Sequence, residues 1–311
     1  MSFRVTLTTA FAGGDYELEP LSLSLTSSLS SPARSLWGRF TVPDFPPEFL
    51  RARVEYKGRL LFEGCVDRQQ TRVDENGVVL EVEARDKGAA LLDNEARPKA
   101  YQNLTVHRMF EELIAPHGFL LVDGYPTIHV PAFTIRKGQS LWDAFCTLAR
   151  LSYGHLPYVR GDMVITALPT GGETWVLGGK DYPFSSLSHT VNHYPVLSQV
   201  YIRDEAGNYT TAVGNPEAQS RGISRTRYFI PAGEYDCKPQ WDADQRIRRS
   251  MRQMVQVELE MPGILEISPG ETVWIHDKLA SLPNLQVEEI TLSTGPKGEK
   301  TKFLLLSFLY Q

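Results

Sequence analysis

Residues 80–93 read LEVEARDKGAALLD. Leu80, Val82 and Ala84 alternate with Glu81, Glu83 and Arg85, the period-two pattern of a half-buried strand. The alternation breaks at Arg85-Asp86-Lys87-Gly88, and an apolar run, Ala89-Ala90-Leu91-Leu92, follows. The stretch predicts a strand that feeds directly into a helical turn. Everything before it reads as β, and clear helical spacing begins only after it. Two kinds of structure join here.

Upstream, residues 3–9 alternate as a strand, Gly13-Gly14-Asp15 is a turn, and Tyr16 to Thr26 reads as one strand carrying Leu18, Leu21, Leu23 and Leu25. Pro32 ends that run, and Trp37 to Val42 is the next strand. Residues 52–65 form a hairpin about Lys57-Gly58. Val66 to Val73 continues as strand, and Asp74-Glu75-Asn76-Gly77 turns the chain into Val78 to Ala84. About seven short strands in the first 85 residues, with turns at regular spacing, are the pattern of a small barrel or sandwich.

The middle of the chain has a different period. Val106, Met109, Phe110, Leu113 and Ile114 share a helix face, with Thr105 as N-cap and Pro116-His117-Gly118 as stop. Ser140 caps a second helix, Leu141 to Leu151, and a hairpin about Gly161-Asp162 follows. From about residue 170 the chain is β-like again, apart from a helix over 241–254. Candidate strands are 174–177, 197–203, 209–213, 223–230, 255–260, 271–276, 287–293 and 302–309. The reading gives three units: 1–95, mainly β; 96–170, an α+β module; and 171–311, β with one helix. No tandem repeat of 20–50 residues is visible, although the two β regions could be diverged copies of one barrel.

Composition excludes several function classes. The 42% hydrophobic and 22% charged residues suit a globular protein, and a net charge of −5 argues against a general nucleic-acid binder. No segment approaches the roughly 20 apolar residues of a membrane helix. MSFRVTLTTAFAGGDYE lacks the apolar run of a signal peptide, so the expectation is synthesis in the cytosol. Cys65, Cys146 and Cys237 are far apart, without zinc spacing, and read as free thiols.

Catalytic patterns are weak. His189 and His193 have i,i+4 spacing, but SSLSHTVNHYP reads as loop or strand, with no glutamate between them as in a metalloprotease helix. Glu258 and Glu260 share a strand face, as a glycosidase pair would, and Glu288 and Glu289 lie on another strand; a solvated or lumen-facing strand face explains all four. No GxSxG, P-loop or strand-linked GxGxxG occurs; Gly171-Gly172 and Gly178-Gly179 lack the following helix that a phosphate site needs. No cofactor or metal is expected. Arg246, Arg248, Arg249 and Arg252 form one charged helix face. It reads as a solvated face or as an interface for an acidic neighbour.

Two resemblances add to this. FTIRKGQSLWDAFCTLA (133–149) resembles the start of a LysM-like unit, which implies a glycan binder. Taken in order, LEVEARDKGAALLDNEA, a helix ending in Gly118-Phe119, GQSLWDAFCTLAR, the hairpin YVRGDMVI from Tyr158, and the run from Glu258-Leu-Glu-Met-Pro-Gly to Pro269-Gly-Glu-Thr-Val-Trp-Ile resemble the baseplate hub family of contractile phage tails and phage-like particles. That family is related to the trimeric base of type VI secretion spikes. In size and layout the chain is most similar to hubs of defective prophages in Gram-positive bacteria, without the Lys/Arg-rich N-terminal arms of some relatives. The resemblance implies a mainly β chain of two tube-like barrels with an α+β insertion, forming a homotrimer between a six-fold tail tube and a three-fold spike. It implies tube, spike and wedge or tape-measure partners, DNA only passing through the channel, and a place in the virion tail or a tail-like particle. It needs no catalytic residue. Leu80–Ala84 is then the last strand of the first barrel, Arg85 and Asp86 fix the exit to the insertion, and the arginine face 246–252 is an interface. The rival expectations are a cell-wall-binding or wall-degrading tail protein, carried by residues 133–151, and a type VI spike base.

Overall fold

The computed structural model describes residues 3–10, 14–75, 77–167, 174–231 and 239–307. Cys237, Gly13, Asn76, Gly171 and Gly172, and the end of the strand expected over 302–309, lie outside the described residues. Seven strands come first: β1 (Phe3–Thr9), β2 (Asp15–Leu18), β3 (Pro20–Ser28), β4 (Ser35–Val42), β5 (Phe49–Tyr56), β6 (Arg59–Asp74) and β7 (Gly77–Arg85). The strand expected over 16–26 is two strands. It breaks at Glu19, ahead of Pro20, which has no N–H for a ladder and therefore sits at the first position of β3. Between β5 and β6, Lys57 (φ 51°) and Gly58 (φ 81°) are both left-handed, as a two-residue hairpin turn requires. Phe40, Phe62, Leu80 and Val82 are fully buried among the inward residues of these strands.

After β7 come α1 (Ala89–Asp93), β8 (Lys99–Leu104), α2 (Val106–Leu113), β9 (Leu120–Val122), β10 (Val130–Ile135), α3 (Leu141–Tyr153), β11 (Tyr158–Arg160) and β12 (Met163–Ile165). Both expected caps are present: Thr105 accepts from the Arg108 amide and Ser140 from the Asp143 amide. Gly118 and Gly154 end the helical turns in left-handed geometry. β8 was not expected, because KAYQNL alternates weakly; it pairs antiparallel with β10. The unit has its own core, from Leu91 to Val164, centred on Phe133, Phe145, Met109 and Leu104.

The remaining elements are β13 (Trp175–Leu177), β14 (Ser186–Val191), β15 (Gln199–Ile202), β16 (Thr211–Gly214), α4 (Pro216–Ser220), β17 (Thr226–Phe229), α5 (Pro239–Arg252), β18 (Val255–Pro262), β19 (Thr272–His276), β20 (Ser281–Gly295) and β21 (Gly298–Ser307). They build two cores rather than one. One lies under β18–β21, around Val257, Val273, Val287 and Phe303. The other joins the small β16-β15-β17 sheet to α5 through Val200, Ile202, Ala243, Ile247 and Met251. The expected 241–254 helix begins and ends two residues earlier, and Met254 closes it with a turn to the Met251 carbonyl.

One sheet of 13 strands links the two β regions, in the order β14-β18-β21-β20-β3-β4-β7-β6-β5-β1-β2, with β19 on β20 and β13 on β19. The order is open: among the described residues β14 and β2 do not pair, and the two closed barrels that the resemblance implies are not seen as closed ladders. A mainly β chain with an α+β unit is therefore present, as expected.

The sheet contains the same pattern twice. In the first hairpin Asp74 pairs with Gly77, and in the second Gly295 pairs with Gly298, a shift of 221 residues. The same shift carries Gln69↔Val82 onto Ile290↔Phe303, Leu36↔Ala84 onto Val257↔Leu305, and Ala52↔Gly64 onto Val273↔Leu285. It even carries the bulge at Asp67 onto the bulge at Glu288. Burial repeats with it: β7 and β21 hide Leu80, Val82 and Ala84 and Thr301, Phe303 and Leu305 respectively. β3 and β14 hold the same place beside β4 and β18. Leu23↔Gly38 corresponds to Leu187↔Leu259, and the residues read Ser22-Leu-Ser-Leu-Thr and Ser186-Leu-Ser-His-Thr. The small β15–α5 unit is an insertion at the second copy's counterpart of the short 29–34 loop.

Candidate functional site

The exit from β7 is built from ions. Arg85 donates to both oxygens of Asp67 (2.7 and 3.1 Å) and both of Asp93 (3.0 and 2.8 Å). These bonds hold the guanidinium charged and draw the Asp93 carboxyl below its ordinary value. The Asp86 carboxylate accepts from the Arg34 and Gly88 amides and from Arg34 Nε at 2.7 Å. Asp67 sits on the β6 bulge and Asp93 ends α1, so one arginine ties the strand, the bulge and the first helical turn together. The sequence reading found Arg85 and Asp86 but not Arg34, Asp67 or Asp93. Their partnership depends on which strands are neighbours, and no local pattern carries that.

Asp86 also borders two adjoining clefts. One of about 280 Å³ includes Arg34, Arg160 and Glu266, and one of about 500 Å³ includes Arg51, Glu63 and Lys87. Titratable groups therefore do line a hollow beside Asp86. Both Asp86 oxygens already accept hydrogen bonds, Lys87 pairs with Asp162 at 2.6 Å, and Arg59 pairs with Glu266. Asp86, Lys87 and Glu266 are thus each paired with an opposite charge, whereas Arg160 Nε is buried without a hydrogen-bond partner.

Each of the four arginines of α5 has an acidic partner in its own chain. Arg246 reaches Asp242 at 3.3 Å and covers the Phe229 ring, Arg248 reaches Asp244 at 2.7 Å, and Arg249 approaches Asp242 at 3.9 Å. Arg252 leaves the helix face and donates to Gln286 (3.0 Å) and Glu288 (2.8 Å) on β20. Burial raises the Glu288 carboxyl pKa against the pull of Arg252, and burial lowers that of Arg249.

The other sequence candidates are not brought together. His189 is on extended β14, opposite Val257, so the helical geometry that a His189/His193 metal pair needs is absent. Among the described residues no group of three His, Cys, Asp or Glu could hold a metal ion. Glu258 and Glu260 do share a face. Glu260 meets Lys300 (3.2 Å) and Lys302 (3.5 Å), which lower its pKa, and Glu258 faces solvent. Cys65 is exposed, and burial pushes the Cys146 thiol well up. Among the described residues no helix is long and apolar enough to cross a membrane.

What remains as a site is the sheet itself. Opposite β7, β6 pairs with β5 only through Arg59–Cys65, so among the described residues no strand lies along its second half. β14 pairs with β18 on one edge and, among the described residues, with no strand on the other. Val73 (63% exposed) and Val191 (47%) stand on these edges. Bare edges of this length in a mainly β protein are contact surfaces or aggregation hazards.

No family model and no curated protein matches the sequence. Solved structures match the fold. A tail protein from Neisseria meningitidis MC58 gives a TM-score of 0.78 at 15% identity, over 99% of this chain and 97% of that one. The 43 kDa tail protein of prophage MuSo2 from Shewanella oneidensis gives 0.78 at 17% identity, over 98% of each. An Escherichia coli component of the type VI secretion system, described as structurally similar to the T4 bacteriophage tail proteins gp27 and gp5, gives 0.59 at 12% identity, over 94% of this chain and 74% of that one. At such identities the likeness is one of fold, and it spans all the units described above. This chain has the fold of phage tail proteins, shared with a type VI secretion component.

Proposed function

We propose that the chain is the structural hub of a contractile phage tail or phage-tail-like particle: a homotrimer that joins a six-fold tail tube to a three-fold spike and surrounds the central channel. The observation that carries this reading is the internal repeat. A chain holding two copies of one sheet pattern gives six copies from three chains, so a single protein can present six similar surfaces to a tube and three to a spike. The tail-protein fold supports it. So does the character of the polar clusters, which are ion pairs that hold elements in place.

In this reading units 1–95 and 171–311 are the tube-like parts, and 96–170 decorates the ring. Arg85 and Asp86 fix the exit to that decoration. The arginine face of α5 is a second contact surface, with Arg246, Arg248 and Arg249 the exposed members. The partners are tube, spike and wedge or tape-measure proteins, DNA only passes through, and the place is the virion tail or a tail-like particle.

A type VI spike base is the nearest alternative, and the E. coli neighbour favours it; it differs only in the particle the ring belongs to. A cell-wall binder would act through β10 and α3, the LysM-like segment. Electron microscopy and native mass measurement of the purified chain test the hub reading. Rings of three chains of 35.0 kDa each are expected. A monomer, or rings of another number, refutes it. Binding to purified peptidoglycan would favour the wall-binding alternative.

A further inference from the structure

We infer that the two bare edges are the two halves of one joint: β14 of one copy adds, antiparallel, to the second half of β6 on the next copy, in a fixed register. This rests on the hub reading and specifies its contact. The argument is the repeat. Within the chain β20 has β21 along one edge; along the other it has β19 first and then β3, which belongs to the first copy. Its counterpart β6 has β7 along one edge and β5 first along the other, and then no strand among the described residues, although the Gln69 side chain accepts from the Phe49 amide and donates to the Pro47 carbonyl. The strand missing from that slot is a first strand of the second copy, which is β14. The chain thus contains one example of the joint, β20 with β3, and the two separated parts of another.

The register follows. Thr294↔Leu23, Ser293↔Ser24, Leu292↔Leu25 and Thr291↔Thr26 become Val73↔Leu187, Arg72↔Ser188, Thr71↔His189 and Gln70↔Thr190. Two features that the mapping does not use agree with it. The first is facing. Val73 is opposite Val78 on its own hairpin and Leu187 is opposite Leu259, so both point to the core side. The joint covers Val73, and Gln69↔Val191 covers Val191; a slip of one residue would set the outward Arg72 opposite the inward Leu187.

The second is charge. Ser188 lies opposite Glu258 on β18, so the row across the joint reads Arg72, Ser188, Glu258. Both charges are exposed, and neither has an ion partner among the described residues. Two strand spacings are about 10 Å, which an arginine side chain spans over a serine. The native Thr26–Thr291 hydroxyl contact of 3.1 Å is replaced by Thr190 with Gln70, again two polar groups. A joint of this kind is head-to-tail and closes only as a ring.

The test uses the full chain with Cys65→Ser, an exposed thiol. Val73→Cys with Leu187→Cys should form disulfide-linked oligomers on oxidation that stop at a closed trimer. Thr71→Cys with Leu187→Cys, slipped by two residues on the same face, should not. Arg72→Glu should weaken assembly about tenfold, and adding Glu258→Arg should restore most of it. A wild-type trimer that fails to cross-link at Val73/Leu187, or cross-links in the slipped pair, overturns the joint and leaves the hub reading standing. A ladder that runs past three chains without closing keeps the joint and refutes the trimeric hub. A monomeric wild type overturns both.

Discussion

Gly88 tests how tightly the exit after β7 is built. Its backbone is ordinary right-handed helix, φ −61° and ψ −23°, so conformation does not call for glycine. Space does. A Cβ there would lie 2.1 Å from the Pro32 carbonyl oxygen, 2.6 Å from its carbon and 2.9 Å from Ala33 Cα, all backbone atoms that no rotamer can move. Relief requires the 29–34 loop to withdraw by about an ångström. That loop carries Arg34, whose amide and Nε hold Asp86, and the Asp86 amide donates to the Arg34 carbonyl. Overpacking costs about 1–3 kcal/mol, and losing one or two of these hydrogen bonds adds about 1 kcal/mol each. Gly88→Ala should therefore cost about 3 kcal/mol. With a urea slope of about 3 kcal/mol per molar for a chain of this length, the midpoint falls by about 1 M. Unfolding followed by circular dichroism reads this directly. Conformational entropy alone makes the opposite prediction, because Gly→Ala at helical dihedrals stabilises by about 0.4–1 kcal/mol. An unchanged or raised midpoint would refute the close approach and, with it, the idea that the exit is a rigid corner.

Two further outcomes follow from the ion pairs. Arg252→Ala leaves Glu288 buried without its cation, at a cost of about 2–3 kcal/mol; the variant's Glu288 pKa, already raised by burial, rises further, so its stability is kept below the ordinary carboxylate value and lost as pH rises through the raised one, and the deficit measured by urea unfolding should be larger at pH 8 than at pH 5. Arg85→Ala should cost about 1 kcal/mol, since its acids are partly exposed; Asp93 is held below its ordinary value by Arg85, so that share is present at neutral pH and disappears as pH falls through the lowered folded value, and a deficit that stays constant into acid would refute the pairing.

Elements with a strong local signal were legible in the sequence. Alternation placed β1, β4 and β7, Thr105 and Ser140 capped α2 and α3 as expected, and the break at Arg85–Gly88 is where β gives way to helix. Elements whose existence depends on a distant partner were not. β8 alternates poorly and is a strand because β10 lies beside it. The arginines of α5 read as a free charged face, yet Asp242, on the same helix and toward its buried side, receives Arg150, Arg246 and Arg249, and Arg252 turns away to β20. Arg246 and Arg248 meet acids four residues back on the same helix, Asp242 and Asp244, which the sequence does show; only the pairs that cross the fold, Arg150 with Asp242 and Arg252 with Glu288, are set by tertiary neighbours.

The repeat is the extreme case of this limit and gives its reason. Between the two copies the residues at one buried site are Leu80 and Thr301, at another Val82 and Phe303, and at a third Gly38 and Leu259. Identity survives in little more than Ser-Leu-Ser-x-Thr of β3 and β14. β1 runs antiparallel to β5, whereas β13 runs parallel to β19. The pairing order β3-β4-β7-β6-β5 survives as β14-β18-β21-β20-β19, with the facing of β7 and β21 and the bulge at Asp67 and Glu288. This is what selection on a shared ring contact would preserve: hydrogen bonds between strand backbones do not depend on side-chain identity, whereas a one-residue slip exchanges every inward and outward residue. Each core was free to repack around its own volumes. The register was not free, because β3 must meet β20 within the chain and, if the joint is as inferred, β14 must meet β6 in the same way between chains.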